Sequence, residues 1–292
     1  MPQNLFAACR MDGELSAKRV RLDATVQQAI ENIFDQQEAQ FREGVTEEVD
    51  FDGSWMPDDE EFLTIDVPAE AAIFEATIRG NAMAVPDLDA AHFAEEGIKA
   101  LFTGTVLNGA AKVLVQRFTS QQVLSRRFSL LQQGNAFRQL TDAAFTLDNS
   151  LTCIVEDGKI KFKSMQKLRS IIDMVELYRA ATDAEVQAFA GHTSLAVWNV
   201  PEFVALTNQT SRKLIHAVAA SGTLDNYTPA EIQTAAQSTG LTVTIENGKV
   251  EMPREHVGIK ALLQFLNESR YSGPLSNQPY VTNSQRRVNG AR

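Results

Sequence analysis

The sequence predicts an α+β fold with an antiparallel strand-rich middle, packed helices and a helical C-terminal part that contains a second β-hairpin. Three observations predict this class. A hairpin followed by an amphipathic pattern occupies Leu151–Tyr178, a similar hairpin occupies Leu241–Met252, and β-branched runs separated by turn signals fill residues 99–164. Because tight hairpins join antiparallel strands, the strand-rich region is expected to be antiparallel.

The clearest local structure lies in Leu151–Tyr178. Its Asp157-Gly158 pair is typical of a type I′ hairpin turn, whose two central residues both need a positive φ. Lys159–Lys163 alternates with period two, so its apolar residues are expected to face a core and its three lysines to line the opposite face. Ser164 can cap a helix that continues to the end of this stretch, because apolar residues recur there at helical spacing.

The second hairpin matches the first at an offset of ninety residues. Its turn is Asn247-Gly248, which is equivalent to Asp157-Gly158, and a leucine-rich helical pattern follows it. Two interpretations stay open. The match indicates either an internal duplication or two independent hairpins, and the second is the simpler because such hairpins recur by chance.

The N-terminal third is expected to contain one amphipathic helix, Leu22–Phe41, because apolar residues recur there at helical spacing. An acidic loop, Glu47–Glu61, and a short strand, Phe62–Val67, follow it. In the middle of the chain, Asn108-Gly109 predicts a hairpin between two β-branched runs. Val123–Leu131 is a further strand candidate.

The C-terminal third is mainly helical. Thr182 and the sequence Thr228-Pro229-Ala230-Glu231 are helix starts, and Pro201 opens a long helix that is expected to reach about Ala220. Helix, helix and hairpin in this order are typical of a winged helix. The helix that would enter the DNA groove, residues 229–239, has no Lys or Arg, so the arrangement favours packing or dimerisation over DNA reading.

Composition indicates a globular protein of the reducing cytoplasm. The 292 residues are 44% hydrophobic and 22% charged, which is ordinary for a packed domain. No apolar run reaches bilayer length, the N-terminus does not resemble a signal peptide, and two cysteines are too few for a disulfide framework. We expect an N-terminal region 1–98, an α+β domain 99–288 and a basic tail 289–292.

The net charge of −10 is unevenly distributed along the chain. Glu31–Glu61 holds twelve acidic residues and one basic residue, whereas Lys112–Arg169 holds ten basic and four acidic residues. A basic cluster of this kind can neutralise phosphates without reading bases. The candidate DNA-binding residues are Arg126, Arg127, Arg138, Lys159, Lys161, Lys163, Lys167 and Arg169. The plainer interpretation is that these lysines only solvate an exposed strand face.

The acidic segment 31–61 is a candidate binding site for a basic partner. Its candidate partner-binding residues are Glu47, Glu48, Asp58, Asp59, Glu60 and Glu61. We also expect the segment to lower DNA affinity in the resting protein, because it competes with phosphate for the basic residues at positions 126, 127 and 159–163. The plainer interpretation is again a solvated surface.

Catalytic and cofactor motifs are missing from the sequence. There is no phosphate-binding glycine loop and no nucleophile elbow, the four histidines lack ligand spacing, and neither a metal nor a cofactor is expected. Cys153 is expected to be a small core residue. A metal-dependent nuclease is an alternative, because Asp87, Asp157 and Lys159 are the residue types that Mg²⁺-assisted phosphodiester hydrolysis needs. Asp157 is poorly placed for it at a hairpin tip.

The chain resembles a known family over roughly residues 110–288. The similarity is carried by FSLLQQGNAFRQLTDAAFTLDNSLTCIVEDGKIKFKS followed by a helix, and by the ending LLQFLNESRYSGPLSNQPYVTNSQRRV. These features resemble the family that contains protein B of Kiwa, a bacterial anti-phage defence system. After the first hairpin the family often has Phe-Glu, where this sequence has Met165-Gln166.

The resemblance implies a cytoplasmic, homodimeric protein that binds double-stranded DNA without sequence preference and blocks phage DNA replication or transcription. It also implies a small membrane protein as the partner that senses infection and recruits this chain to the inner face of the membrane. It carries over no catalytic residue. A protein-interaction subunit of a defence complex without DNA binding is the main alternative, and a nuclease is the second.

Overall fold

The computed structural model describes residues 4–51, 53, 55–93, 95–124, 128–140, 144–174 and 179–286. The chain divides into two compact units, of which the first comprises residues 1–51 and 57–173 and the second residues 52–56 and 174–292. This division does not follow the expected boundary at residue 98, because strands from both sides of that position pair in one sheet. The expected basic tail, residues 289–292, lies outside the described residues.

The described strands of the first unit are β1 (Leu5–Met11), β2 (Glu14–Val20), β3 (Glu47–Asp50), β4 (Glu61–Asp66), β5 (Ile98–Leu107), β6 (Ala110–Arg117), β7 (Leu130–Gln133), β8 (Ala136–Gln139), β9 (Cys153–Glu156) and β10 (Lys159–Phe162). Eight of them form one sheet in the order β2-β1-β5-β6-β9-β10-β4-β3, and β7 and β8 form a separate hairpin. The large sheet is antiparallel except for the parallel pair of β3 and β4.

The hairpin predictions are confirmed. Asn108-Gly109 joins β5 to β6 and Asp157-Gly158 joins β9 to β10, and all four residues have positive φ, as a type I′ turn requires. Asn and Asp tolerate this left-handed region better than other residues with a side chain, which is why the two dipeptides fix the registers of both hairpins. Together with the mixed helices and strands, they confirm the α+β class.

The helices of the first unit are α1 (Ala24–Arg42), α2 (Ala72–Arg79) and α3 (Met165–Leu168). Helix α1 agrees with the prediction, and Asp23 caps it by accepting a hydrogen bond from the Val26 amide. It buries Ile30, Phe34 and Phe41 against the sheet, in a core that includes Leu114 and Ile154.

The prediction of a long helix after Ser164 is wrong. Ser164 does cap α3, but the helix ends after one turn, and tight turns carry the chain through Arg169–Ile171. The guanidinium of Arg10 donates a hydrogen bond to the Ile171 carbonyl at 2.9 Å, and Ile171 and Ile172 are buried. Tertiary contacts therefore override the helical pattern, and residues 175–178 lie outside the description.

Two further expectations need correction. The acidic segment does not remain a loop throughout, because β3 pairs with β4 at the edge of the sheet. Val123–Leu131 is not one strand: Thr119 and Gln122 form a capping box around a short 3-10 turn, Val123 makes an isolated bridge to Phe145, and β7 begins at Leu130.

The second unit contains α4 (Asp183–Ala190), α5 (Val200–Leu206), α6 (Gln209–Ser221), α7 (Thr223–Asn226), α8 (Pro229–Ser238) and α9 (His256–Leu266), with strands β11 (Leu195–Ala196), β12 (Ile245–Glu246), β13 (Lys249–Glu251), β14 (Arg270–Ser272) and β15 (Pro279–Val281). The capping boxes at Thr182 and Thr228 and the Asn247-Gly248 hairpin are confirmed. The prediction of one long helix from Pro201 is wrong, because the chain forms two helices that are separated at Thr207-Asn208. There the Asn208 side chain accepts a hydrogen bond from the Ser211 amide and begins α6.

The second unit has its own core, in which α6, α8 and α9 pack beside a three-stranded sheet in the order β11-β13-β12. The helix-helix-hairpin order is thus present, and α8 carries no basic residue. Within the described ranges, no helix combines the length and apolar composition that crossing a bilayer requires.

Candidate nucleic-acid interface

The alternating pattern predicted that the lysines of β10 line a solvated face of the sheet. The structure contradicts this prediction. Lys161 lies opposite Ile154 on β9 and Thr64 on β4, and Ile154 belongs to the core beneath α1. Lys161 is therefore on the face that α1 covers and is only 8% exposed. Both faces of this part of the sheet are buried, because Ile160 and Phe162 on the other face are buried as well.

A network of ion pairs neutralises these lysines. Lys161 Nζ lies 2.5 Å from Glu48 Oε1 and 3.0 Å from Glu156 Oε1. Lys159 Nζ lies 2.8 Å from Asp50 Oδ1 and 3.6 Å from Asp66 Oδ1. The acidic edge strand β3 thus contributes one carboxylate to each of the two lysines. These carboxylates reach across β4, which lies between β3 and β10.

The network continues into α1. Arg42 Nη2 lies 2.7 Å from Glu156 Oε2, and its Nε lies 2.9 Å from Glu38 Oε1 one helical turn earlier. Glu38 also pairs with Lys112 of β6 at 2.6 Å. Glu156 therefore links α1 to β10, because one carboxylate accepts from both Arg42 and Lys161.

The pKa shifts follow from these contacts. Burial lowers the pKa of the Lys161 ammonium, but hydrogen bonds to Glu48 and Glu156 outweigh it, so the net pKa is raised. The hydrogen bond to Asp50 raises the pKa of Lys159. For Glu156, burial raises the carboxyl pKa and the bonds from Arg42 and Lys161 lower it further than burial raises it, so the carboxylate form is favoured.

Two of the predicted residues, Lys163 and Lys167, lie in a different environment. Neither forms an ion pair with a carboxylate in the part of the chain that the structure describes. The ammonium of Lys163 lies over the rings of Phe41 and Phe62, at 5.8 and 5.5 Å from their centroids. Both lysines line a cleft of about 240 Å³, whose walls are Gln37, Gln40, Phe41, Ser150, Leu151, Thr152, Lys163, Ser164 and Lys167.

The other predicted DNA-binding residues are more scattered. Arg169 is exposed just after α3, next to Lys167 in sequence. Arg138 is exposed on β8, in the hairpin that is separate from the large sheet. Arg126 and Arg127 lie outside the described residues. Of the eight predicted residues, the structure brings Lys163 and Lys167 together in one cleft, and Lys159 and Lys161 together in the ion-pair network of β10.

The predicted partner-binding residues divide into two groups. Glu47, Asp58, Asp59, Glu60 and Glu61 line one acidic cleft of about 510 Å³ together with Thr46 and Pro57. Asp58, Asp59 and Glu60 are exposed there, whereas Glu61 is buried and accepts a hydrogen bond from the Asp58 amide. Glu48 is instead directed to Lys161.

The residues of the nuclease alternative do not converge. Asp87 pairs with Arg19 at 2.7 Å beside β2, at one edge of the sheet, whereas Asp157 lies in the β9–β10 turn. Four strand spacings separate β2 from β9, or roughly 19 Å. No group of three or more potential metal-ligating side chains occurs among the described residues.

The two cysteines are core residues, as expected for Cys153. Both are buried and unpaired with each other. Burial raises the pKa of the Cys153 thiol to about 12, and burial together with nearby Glu96 raises that of Cys9 to about 11. Neither thiol is suited to nucleophilic chemistry.

Sequence reasoning missed the acidic and basic residues that complete the network. Glu38 and Arg42 stand four residues apart on one helix, a spacing that predicts a local ion pair. Their contacts to Lys112 and Glu156 were not readable from sequence, because those residues lie on strands far along the chain.

Comparison with known proteins gives one family. The family model described as Kiwa protein KwaB-like matches residues 113–276, which is more than half of the chain. Searches of curated proteins and of solved structures gave no match. The chain therefore belongs to the Kiwa protein KwaB-like family, and this membership supports a role in Kiwa anti-phage defence.

Proposed function

We propose that this protein is the DNA-binding subunit of a Kiwa defence system and that it contacts duplex DNA without sequence preference. The observation that carries the proposal is the pair Lys163 and Lys167, two neighbouring cations without a carboxylate partner among the described residues. Arg169, two residues after Lys167, is exposed and is a third candidate for phosphate contact. Cations arranged in this way neutralise backbone phosphates and do not read base edges.

In the proposed resting state, Lys159 and Lys161 do not take part in binding. Glu48 and Asp50 of β3 occupy their ammonium groups, and phosphate would have to displace those carboxylates. Movement of the edge strand would remove one carboxylate from each lysine, leaving Lys161 with Glu156 and Lys159 with Asp66, and would make both more accessible to phosphate. We propose that engagement by a small membrane protein causes this movement and recruits the protein to the membrane, and that DNA binding then blocks phage replication or transcription.

The DNA proposal is tested with a fluorescently labelled duplex at about 50 and about 200 mM salt. The triple variant Lys163→Gln/Lys167→Gln/Arg169→Gln should bind more weakly and reduce the slope of log K against log salt by about 2.7, because three phosphate contacts are lost. The control Lys249→Gln/Lys260→Gln removes two positive charges from exposed lysines of the second unit and should bind like the parent. No binding of the parent to any duplex at low salt would end the proposal.

A second candidate function is docking of a basic protein segment. The observation that favours it is the acidic cleft, where five of the predicted partner residues meet. Asp58→Lys/Asp59→Lys/Glu60→Lys should abolish co-purification with the proposed membrane partner, while DNA binding should not weaken because the variant is more positive by six charges. Retained co-purification would exclude the cleft as the docking site.

The proposed function needs no catalytic step, and the same DNA provides a test of the nuclease alternative. Incubation with Mg²⁺ should leave the duplex intact. Cleavage that is lost in both Asp87→Ala and Lys159→Ala would replace the binding proposal by a nuclease.

A further inference from the structure

The cleft beside α3 differs from the rest of the charged surface around it. The neighbouring cations Arg42, Lys112, Lys159 and Lys161 each have at least one carboxylate within 3.0 Å. Among the residues that the structure describes, two lysines line the cleft and no acidic residue does. In a chain with a net charge of −10, this is a local concentration of positive charge within a concave surface.

The charge of Lys163 is held in place without being neutralised. Its ammonium lies over Phe41 and Phe62, whose stacked rings have centroids 4.9 Å apart. A cation–π contact orients an ammonium and leaves its donors available to an anion. Lys163 is therefore positioned before any ligand arrives, which reduces the entropy lost on binding.

The walls supply further hydrogen-bond donors. The Ser164 hydroxyl oxygen accepts from the Lys167 amide, so its proton can be donated outward. Ser150 and the exposed amide of Gln40 complete the polar side, while Leu151 and Phe41 form the apolar side. Ammonium, hydroxyl and amide donors around one concavity suit an oxyanion with several oxygens.

Size and charge select the class of anion. About 240 Å³ is smaller than the 300–1,000 Å³ typical of drug-sized ligands, so the cleft accepts a small group and not a base pair. Two lysines match a phosphate monoester, which carries about −1.5 to −2 at neutral pH, better than a phosphodiester with a single charge.

We propose that the cleft lined by Lys163 and Lys167 is a binding site for one terminal phosphoryl group. This rests in part on the proposed DNA function, because a strand end is one source of such a group. A free mononucleotide or inorganic phosphate is the other source. The binding chemistry is the same for both.

The experiment compares one duplex with and without a 5′-phosphate, at low salt, by competition against a labelled duplex. The phosphorylated duplex should bind about tenfold more tightly, the equivalent of one charge-assisted hydrogen bond. Lys163→Met/Lys167→Gln should remove this preference, Lys163→Arg should retain it, and the control Lys249→Gln/Lys260→Gln should behave as the parent. Circular dichroism of each variant verifies that it is folded.

The arms of the experiment separate the sources and the two proposals. Competition by a 5′-mononucleotide at concentrations where its nucleoside is inert would identify a free ligand as the occupant. Equal binding of both duplexes, together with no competition by inorganic phosphate and no change of its ³¹P NMR signal when protein is added, would overturn the phosphoryl site. DNA binding that persists in that case would leave the proposed function intact.

Discussion

Glu156 stands at the junction of α1 and β10. Its two oxygens accept from Arg42 at 2.7 Å and from Lys161 at 3.0 Å, and its side chain is 15% exposed. A charge removed from such a site leaves two cations with fewer acceptors in a region partly shielded from water. This makes the carboxylate a stabilising residue whose effect depends on its ionisation.

Glu156→Gln should lower the free energy of unfolding by about 2 kcal/mol at pH 7, the value of a hydrogen bond to a charged group. The carboxyl pKa is lowered by folding from its usual 4.5, so its contribution is fully present above that value. It is lost as pH falls through the lowered pKa, and the deficit of the variant should shrink accordingly. Urea denaturation at pH 7 and at about pH 3 measures both values.

Glu246→Gln, which changes an exposed glutamate at the second hairpin, is the matched control and should have no deficit at either pH. A deficit for Glu156→Gln that is equally large at both pH values would show that shape, and not charge, accounts for the stabilisation.

The cysteines give a second prediction at the scale of single residues. With thiol pKa values of about 11 and about 12 and with buried side chains, Cys9 and Cys153 should react with a disulfide reagent at pH 8 only after unfolding. Absorbance should rise to two equivalents in guanidinium and stay near zero in buffer. Fast labelling of the native protein would contradict the burial of either residue.

At the scale of elements, β3 has two roles: it forms the edge of the sheet, and its carboxylates neutralise lysines of β10. It pairs in parallel with β4, and Glu48 and Asp50 reach across to the lysines of β10. The sequence-based hypothesis that the whole acidic segment competes with phosphate thus becomes narrower. Two of its carboxylates contact the lysines of β10, and five others line a separate cleft.

Glu48→Gln/Asp50→Asn should tighten DNA binding and steepen the salt slope by at most about 1.8, because each of the two lysines loses one carboxylate and becomes more accessible to phosphate. Anisotropy titrations at several salt concentrations measure both changes. Asp58→Asn/Asp59→Asn removes the same number of charges from the acidic cleft and is the control. Equal tightening in both variants would mean that net charge, and not the β3 contacts, sets the affinity.

The break between α5 and α6 gives a further prediction. Asn208→Ala removes the side chain that accepts from the Ser211 amide and should cost about 1 kcal/mol of stability. Thermal or urea unfolding of the variant checks this value, and Asn208→Asp should retain most of the stability. A neutral Asn208→Ala would mean that the contacts of Arg212 to the Thr207 and Ala181 carbonyls hold the break without the cap.

For the whole molecule, the parts that could be predicted are those that depend on local chemistry. Asn-Gly and Asp-Gly pairs predicted three hairpins, and the starts at Thr182 and Thr228 predicted two helices. A fourth pair, Asp12-Gly13, joins β1 to β2 by the same local chemistry but was not predicted. The end of α3 could not be predicted, because it depends on Arg10, more than 150 residues earlier. The burial of Lys161 was equally hidden, since α1, β3 and β4 supply the side chains around it.

The sheet also joins segments that lie far apart in the sequence. Strand β4 pairs with β10, about a hundred residues later, and among the described strands β3 pairs with β4 alone. At about 5–20 residues per second, β3 and β4 leave the ribosome roughly 5 to 20 s before β10 is made. Phe62, Leu63 and Ile65 lack their β10 neighbours during that time.

Charged edge strands discourage pairing with other chains. Glu48 and Asp50 should therefore protect the growing chain from aggregation before they ever contact a lysine. If so, Glu48→Gln/Asp50→Asn should increase the insoluble fraction on expression by more than Asp58→Asn/Asp59→Asn does. The same two carboxylates would then serve the nascent chain first and the folded protein afterwards.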